Sequence, residues 1–393
     1  MRRADVIVIG GGHNGLVAGC YLARAGLSVR VLERRSVVGG AAVTEELLPG
    51  VRVSAASYAL SMLRPDVYRD LELRRHGLEF TPKDPQMFVP LPDGRHFFVW
   101  RDGDRTREEL ARISRHDADA YLRWGRFWDE VVSVLRPLVE SADPPAPAEV
   151  EKELHRRGHS EVWRLAVAGS AAECVEEFFE SDEIRGCLAT QGIIGTQASP
   201  RAPGTAWVMA FHALGGELNG ADGTWAWVRG GMGGLTSALA SAAGELGVEI
   251  QTGAEVSSVV VENGRATGVA TADGTVHPAI LILSNADPKR TFLRLVPSGV
   301  LERDFRRRVE EWRVDGAVVK VNLALAELPD FRALPGAGPQ HRATTEIAPS
   351  IDYLDAAAKD AAAGRYSASP FMEVFIQSTL DPTLAPPGRH VVS

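Results

Sequence analysis

An α/β fold is predicted by three features of the chain. An aliphatic run at residues 6–9 breaks directly into glycines, a helix-like segment at 16–25 returns to a second aliphatic run at 29–32, and further strand-like runs reappear only after a long helical interlude. The first run has no polar alternation, as expected of a parallel strand covered on both faces. The turn after it must be tight, and Gly26 closes the helical segment as a C-terminal cap would.

The turn reads Gly10-x-Gly12-x-x-Gly15, and each glycine has a physical duty. Gly10 permits the strand-to-helix turn, Gly12 lets backbone approach a pyrophosphate, and Gly15 allows close helix–strand packing. Phosphates would sit at the positive end of the helix starting near His13 and Asn14. Glu33, at the end of the second strand, is placed to accept hydrogen bonds from a ribose diol, and its charge opposes a 2′-phosphate. Arg34 and Arg35 soften that argument against NADP. The competing reading is a glycine-rich structural turn. Beyond the acid, Gly39-Gly40-Ala41 and the stretch to Thr44 offer a second place where backbone can approach a ligand. NAD does not need a second contact of this kind. The longer FAD does, unless the pair is a simple loop.

From about residue 71 to 225 the character changes to Pro-rich connections followed by helical patterns rich in Arg, Glu, Trp and Leu. A glycine loop at 229–234 then leads into a helix-like segment, 235–246, and strand-like runs at 248–251, 256–261 and 279–283. The expected organisation is a discontinuous Rossmann-like domain, residues 1–70 and 226–290, with an inserted α+β substrate domain, residues 71–225 and 291–393. A charged helix is read at 301–312 and a strand at 318–324.

The 393 residues carry 51 acidic and 43 basic side chains spread along the chain, without the basic face nucleic acid requires, so no nucleic-acid partner is expected. Cys20, Cys174 and Cys187 are too dispersed for a disulfide framework and form no C-x-x-C pair, which fits a cytoplasmic, reducing compartment. Met1-Arg2-Arg3 and the apolar run behind it look like a leader only until the glycines interrupt them. No apolar stretch approaches the roughly 20 residues needed to span a bilayer, which leaves peripheral membrane contact as the form of membrane association open to the chain. No His or Cys pair has metal-ligand spacing, so no metal is expected.

The runs 5–16 and 38–46, with Ser57-Tyr58, the loop Gly230-Gly231-Met232-Gly233 and Ser284-Asn285-Ala286-Asp287-Pro288, resemble the flavin amine oxidase and phytoene desaturase superfamily, most closely its phytoene-dehydrogenase-like branch. The resemblance touches most of the chain and implies FAD. It implies that Glu33 binds the adenosine ribose, that Gly39 and Gly40 lie along the pyrophosphate and ribityl chain, that Val256 contacts adenine through its backbone, and that residues 231–233 lie near the isoalloxazine. Two departures stand out. Ala41 occupies a position where many members carry Arg, and the C-terminal glycine-containing segment that closes the flavin site is not found, so the C-terminal part of the fold is expected to be missing.

The expected function is FAD-dependent oxidation of a C–H or C–N bond in a small apolar organic substrate, with oxygen or a quinone as electron acceptor. The flavin performs the difficult step, so a protein acid or base is not obligatory. His212 and Tyr58 are the residues to test for catalysis, each with a structural alternative, and Trp207, Trp225 and Trp227 are candidate cavity walls or core packing. Two other classes compete: a non-catalytic binding protein on the same scaffold, as in relatives that chaperone prenylated GTPases, and an NAD-dependent dehydrogenase.

Overall fold

The computed structural model describes residues 3–220, 223–316 and 318–393, so Met1 and Arg2 of the leader-like start lie outside the described residues. The chain divides into two compact units. The first comprises Met1–Ala59, Pro65–Phe80 and Val228–Asp315, and the second Leu60–Arg64, Thr81–Trp227 and Gly316–Ser393.

The first unit is built on β1 (Ala4–Ile9), α1 (His13–Arg24) and β2 (Val29–Leu32). After β3 (Thr44–Leu48) and β4 (Val51–Ser54), which form an antiparallel hairpin, the unit resumes with α2 (Gly233–Glu245), β5 (Glu249–Gln251), β6 (Val256–Glu262), β7 (Arg265–Thr271) and β8 (Val276–Ser284). A six-stranded sheet results, in the order β6-β7-β8-β1-β2-β5. β1 runs parallel to both β8 and β2, with Ile7 opposite Ile282 on one side and Arg30 on the other. Val6, Ile7 and Val8 are almost completely buried there, which explains the unbroken aliphatic run. Each such side chain contributes roughly 2 kcal/mol of hydrophobic stabilisation. β6 and β7 meet as a hairpin and extend the sheet antiparallel beyond β8. This is the mixed α/β sheet that the opening pattern predicts, with the glycine turn at the carboxyl end of its central strand.

The second unit combines helices with a four-stranded sheet ordered Met372–Val374, Thr344–Ile347, Met87–Pro90, His96–Val99. Its longest helix, Arg115–Val139, buries Trp124, Phe127, Val131 and Leu135 against Leu165 and Phe179 in one core. Ser114 caps that helix by accepting the Asp117 N–H at 3.2 Å. One expected strand contracts. The run at 318–324 forms a strand only at Leu323–Leu325, where it pairs with His390–Val392. Val318, Val319 and Val321 are exposed: a β-branched run takes up strand structure only where a ladder partner is present.

Candidate active site

The glycine turn lies just outside the carboxyl ends of β1 and β8, where ligands bind in open α/β sheets. Gly10 adopts φ +96°, a conformation that a side chain would strain. Its N–H donates to the Leu32 carbonyl at 2.8 Å, tying the turn to the end of β2. Gly12 precedes the first residue of α1 and supplies no side-chain acceptor to the first N–H groups of the helix. His13 is half-buried, its Nδ1 has no hydrogen-bond partner, and burial lowers its pKa, which favours the neutral imidazole. Asn14 is exposed.

At Gly15 the helix lies close against the end of β1. A Cβ there would stand 2.3 Å from the Gly10 carbonyl oxygen and 3.0 Å from Asn285 Nδ2, so its missing side chain makes room for the turn itself. One turn later, at Gly19, the spacing is ordinary, with the Cβ position 3.6 Å from a Val31 methyl.

Glu33 is buried, and both its oxygens are engaged. Oε2 accepts the Gly11 N–H at 2.8 Å and Oε1 the Arg35 N–H at 2.8 Å. A carboxylate has roughly four acceptor positions, so capacity for a further donor remains. Arg34 is exposed, and the guanidinium of Arg35 pairs with Glu45.

The second glycine pair meets the first. Gly39 donates its N–H to the Gly11 carbonyl at 2.9 Å, a parallel bridge links Gly12 with Gly39, and the Cβ position of Gly40 lies 3.1 Å from the Gly12 Cα. Gly39 holds φ +129°, and Gly40 and Ala41 are exposed. Two backbone segments thus meet at their glycines. Thr44 serves the third glycine loop: its hydroxyl donates to the Gly230 carbonyl and accepts the Gly233 N–H, each at 2.9 Å. Ser54 accepts the Met232 N–H at 3.0 Å, so the β3–β4 hairpin holds the loop that starts α2. Val256 is buried at the start of β6, opposite Thr271.

Asn285 carries no assigned role in the sequence reading beyond its place in a family-like segment, yet the fold brings it into the turn. Its N–H donates to the Ile9 carbonyl at 2.8 Å, and Nδ2 reaches to 3.5 Å from the Gly10 carbonyl. A polar residue directly after β8 was the available signal.

The two residues singled out for catalysis sit in different units. Tyr58, in the first, is half-buried beside Ser57, whose N–H donates to the Ala41 carbonyl at 2.9 Å. His212, in the second, bonds through Nδ1 to the Gln191 carbonyl at 3.0 Å and lies edge-on to Trp225, and burial lowers its pKa. All three cysteines are free and buried, and burial raises each thiol above its ordinary pKa, so none has the character of a reactive thiolate. Among the described residues His116, Asp117 and Glu180 come close enough to share an ion, but Asp117 accepts the N–H groups of Glu180 and Ser181 at 2.8 and 2.9 Å. That geometry is structural anchoring.

A mixed α/β sheet with a glycine turn, an acid at the end of its second strand and a second glycine contact defines the class of dinucleotide-binding proteins. The flavin containing amine oxidoreductase family matches residues 15–364, and the chain belongs to that family. It is 38% identical to mouse pyridine nucleotide-disulfide oxidoreductase domain-containing protein 2 over 421 aligned positions, covering 99% of this chain and 72% of the mouse protein. It is 25% identical to a 4,4′-diapophytoene desaturase of a Methylomonas species, covering 83% of this chain and 62% of that one. Wild-type putrescine oxidase bound to putrescine shares the fold with a TM-score of 0.58 at 17% identity, over 100% of this chain and 75% of that structure. The protein is an FAD-dependent oxidoreductase acting on a small molecule, and the NAD-dehydrogenase and non-catalytic readings fall away. Among the described residues no helix is long and apolar enough to cross a membrane.

Proposed function

We propose that the protein oxidises a C–H or C–N bond of a small apolar substrate, with FAD held against the junction of the two glycine segments. The observation that carries this is the junction of Gly12 with Gly39, where backbone meets backbone at the start of α1. An elongated, doubly phosphorylated group fits there, because backbone N–H groups at the start of a helix favour negative charge. The unpartnered Nδ1 of His13 supports the same fit.

In this reading Gly10, Gly12, His13, Asn14 and Gly15 hold the pyrophosphate, and Glu33, which also braces Gly11, accepts the ribose hydroxyls, with Arg34 at the rim of the adenosine end. Gly39, Gly40, Ala41 and Thr44 follow the pyrophosphate and ribityl chain, and Val256 meets adenine through its backbone. When bound, the flavin accepts hydride from the substrate. The chain's own part is to bind, orient and exclude water. Residues 71–225 and 291–393 receive the substrate, and residues 1–70 and 226–290 the cofactor. Tyr58 and His212 contribute to the substrate surroundings. Oxygen or a quinone takes the electrons, in a cytoplasmic setting that the three free thiols favour and that allows peripheral membrane contact.

The test is the visible spectrum of the purified protein and the release of FAD on denaturation. A colourless protein that fails to take up added FAD overturns the reading. Glu33→Ala is expected to weaken flavin retention by tenfold or more, about 1.4 kcal/mol, since the carboxylate serves both the turn and the ribose. Unchanged retention in dialysis against apoprotein removes Glu33 from the ribose site.

A further inference from the structure

The second unit buries an ammonium group among aromatic rings and carboxyls. Lys83 is 6% exposed, and its Nζ donates to the Thr344 hydroxyl. The same nitrogen lies 5.3 Å from the ring centroid of Trp227 and 5.8 Å from that of Trp225, within cation–π range. Glu346, 1% exposed, stands directly across the antiparallel ladder from Glu373, and both act on Lys83 electrostatically. Burial lowers the Lys83 pKa to about 8 against the pull of Glu373 and Glu346, and burial also raises that of Glu346.

A second cation repeats the theme. The Trp227 ring packs on Phe375 with centroids 5.6 Å apart, and Lys320 Nζ lies 5.6 Å from the Phe375 centroid. Ammonium groups therefore flank both ends of one aromatic pair. Hydrogen-bonding capacity also remains unused, at Trp227 Nε1 and Glu346 Oε2. Buried ionic sets of this kind are weak sources of stability, since apolar replacements of equal volume do as well or better. Indole faces with carboxyls nearby are how proteins hold an organic ammonium, and here the chain supplies that ammonium itself.

We propose that Lys83 is a specificity-determining residue: it fills an indole-and-carboxyl cage in the second unit, keeps alkylammonium groups out, and so directs the oxidation to a C–H bond of an uncharged substrate. This rests on the reading that the second unit receives the substrate. The hydrogen lost as hydride goes to the flavin and its partner leaves as a proton to solvent, so the inference adds no further co-reactant.

The experiment compares cyclohexylammonium with its uncharged isostere methylcyclohexane, by tryptophan fluorescence titration and thermal shift on the flavin-loaded protein. Wild type is expected to respond to methylcyclohexane and not to cyclohexylammonium. Lys83→Ala, checked by circular dichroism, is expected to gain cyclohexylammonium binding by about tenfold or more. Lys83→Met, which refills the space without charge, should gain none. Tighter binding of cyclohexylammonium than of methylcyclohexane by wild type overturns the proposal, and so does a folded Lys83→Ala variant without the gain. If Lys83→Ala does not fold, the wild-type comparison alone decides. Flavin absorbance in the same samples reports separately on the cofactor, so failure of the flavin reading cannot be confused with failure of the cage.

Discussion

Gly15→Ala is expected to unfold the first unit at markedly lower denaturant and to abolish flavin retention, whereas Gly12→Ala is expected to abolish retention alone. The added methyl at position 15 would lie 2.3 Å from the Gly10 carbonyl oxygen, a backbone atom that moves only if the turn opens. Overpacking of this sort costs about 3 kcal/mol, more than the roughly 1 kcal/mol that alanine gains over glycine in a helix. At position 12 the new methyl would meet Asn285 Nδ2 at 2.9 Å, the far end of a side chain that can rotate away. Gly12 has φ −70°, which alanine adopts without strain, so the fold should survive within about 1 kcal/mol. What the methyl does occupy is the approach to the start of α1. Urea unfolding and flavin absorbance, measured together, separate the two effects. A Gly12→Ala protein as yellow as wild type would show that the pyrophosphate does not lie where we place it.

Much of the first unit was legible because local chemistry and tertiary role coincide there. Residues 6–9 have one sequence of side chains compatible with a doubly covered strand, and the glycines after them have few other uses. The expected helix at 235–246 and strand at 256–261 appear as Gly233–Glu245 and Val256–Glu262 for the same reason. The second unit yielded less. Nothing in the sequence sets Lys83 apart, because its burial depends on Thr344 and Glu346, more than 200 positions later and on a strand of its own. Thr44 shows a second kind of gap. Its place beside the glycine pair suggests a ligand contact, and nothing in the sequence shows that its hydroxyl also ties the loop at Gly230 and Gly233. Such pairings come from chain return, and no periodicity announces them.

Asp117→Ala is expected to destabilise the second unit by about 2 kcal/mol, because it removes the charged acceptor of two part-buried backbone N–H groups. Asp117 is fully buried in the first turn of the long helix, and its oxygens receive the N–H groups of Glu180 and Ser181. Burial alone would raise its pKa, yet hydrogen bonds from Ser181, Glu180 and His116 prevail and hold it below the ordinary carboxylate value. The sign for pH follows. A depressed folded-state pKa adds stability above the unfolded value near 3.8, and that stability is lost as acid protonates the folded carboxylate. Wild type should therefore lose stability below about pH 4 more steeply than Asp117→Asn, which keeps an acceptor for one N–H but has no charge to titrate. Parallel urea melts at neutral and acid pH check both statements. Equal acid sensitivity of the two proteins would mean that the carboxylate is not ionised in the fold. A metal-dependent rise in wild-type stability would instead restore His116, Asp117 and Glu180 as an ion site.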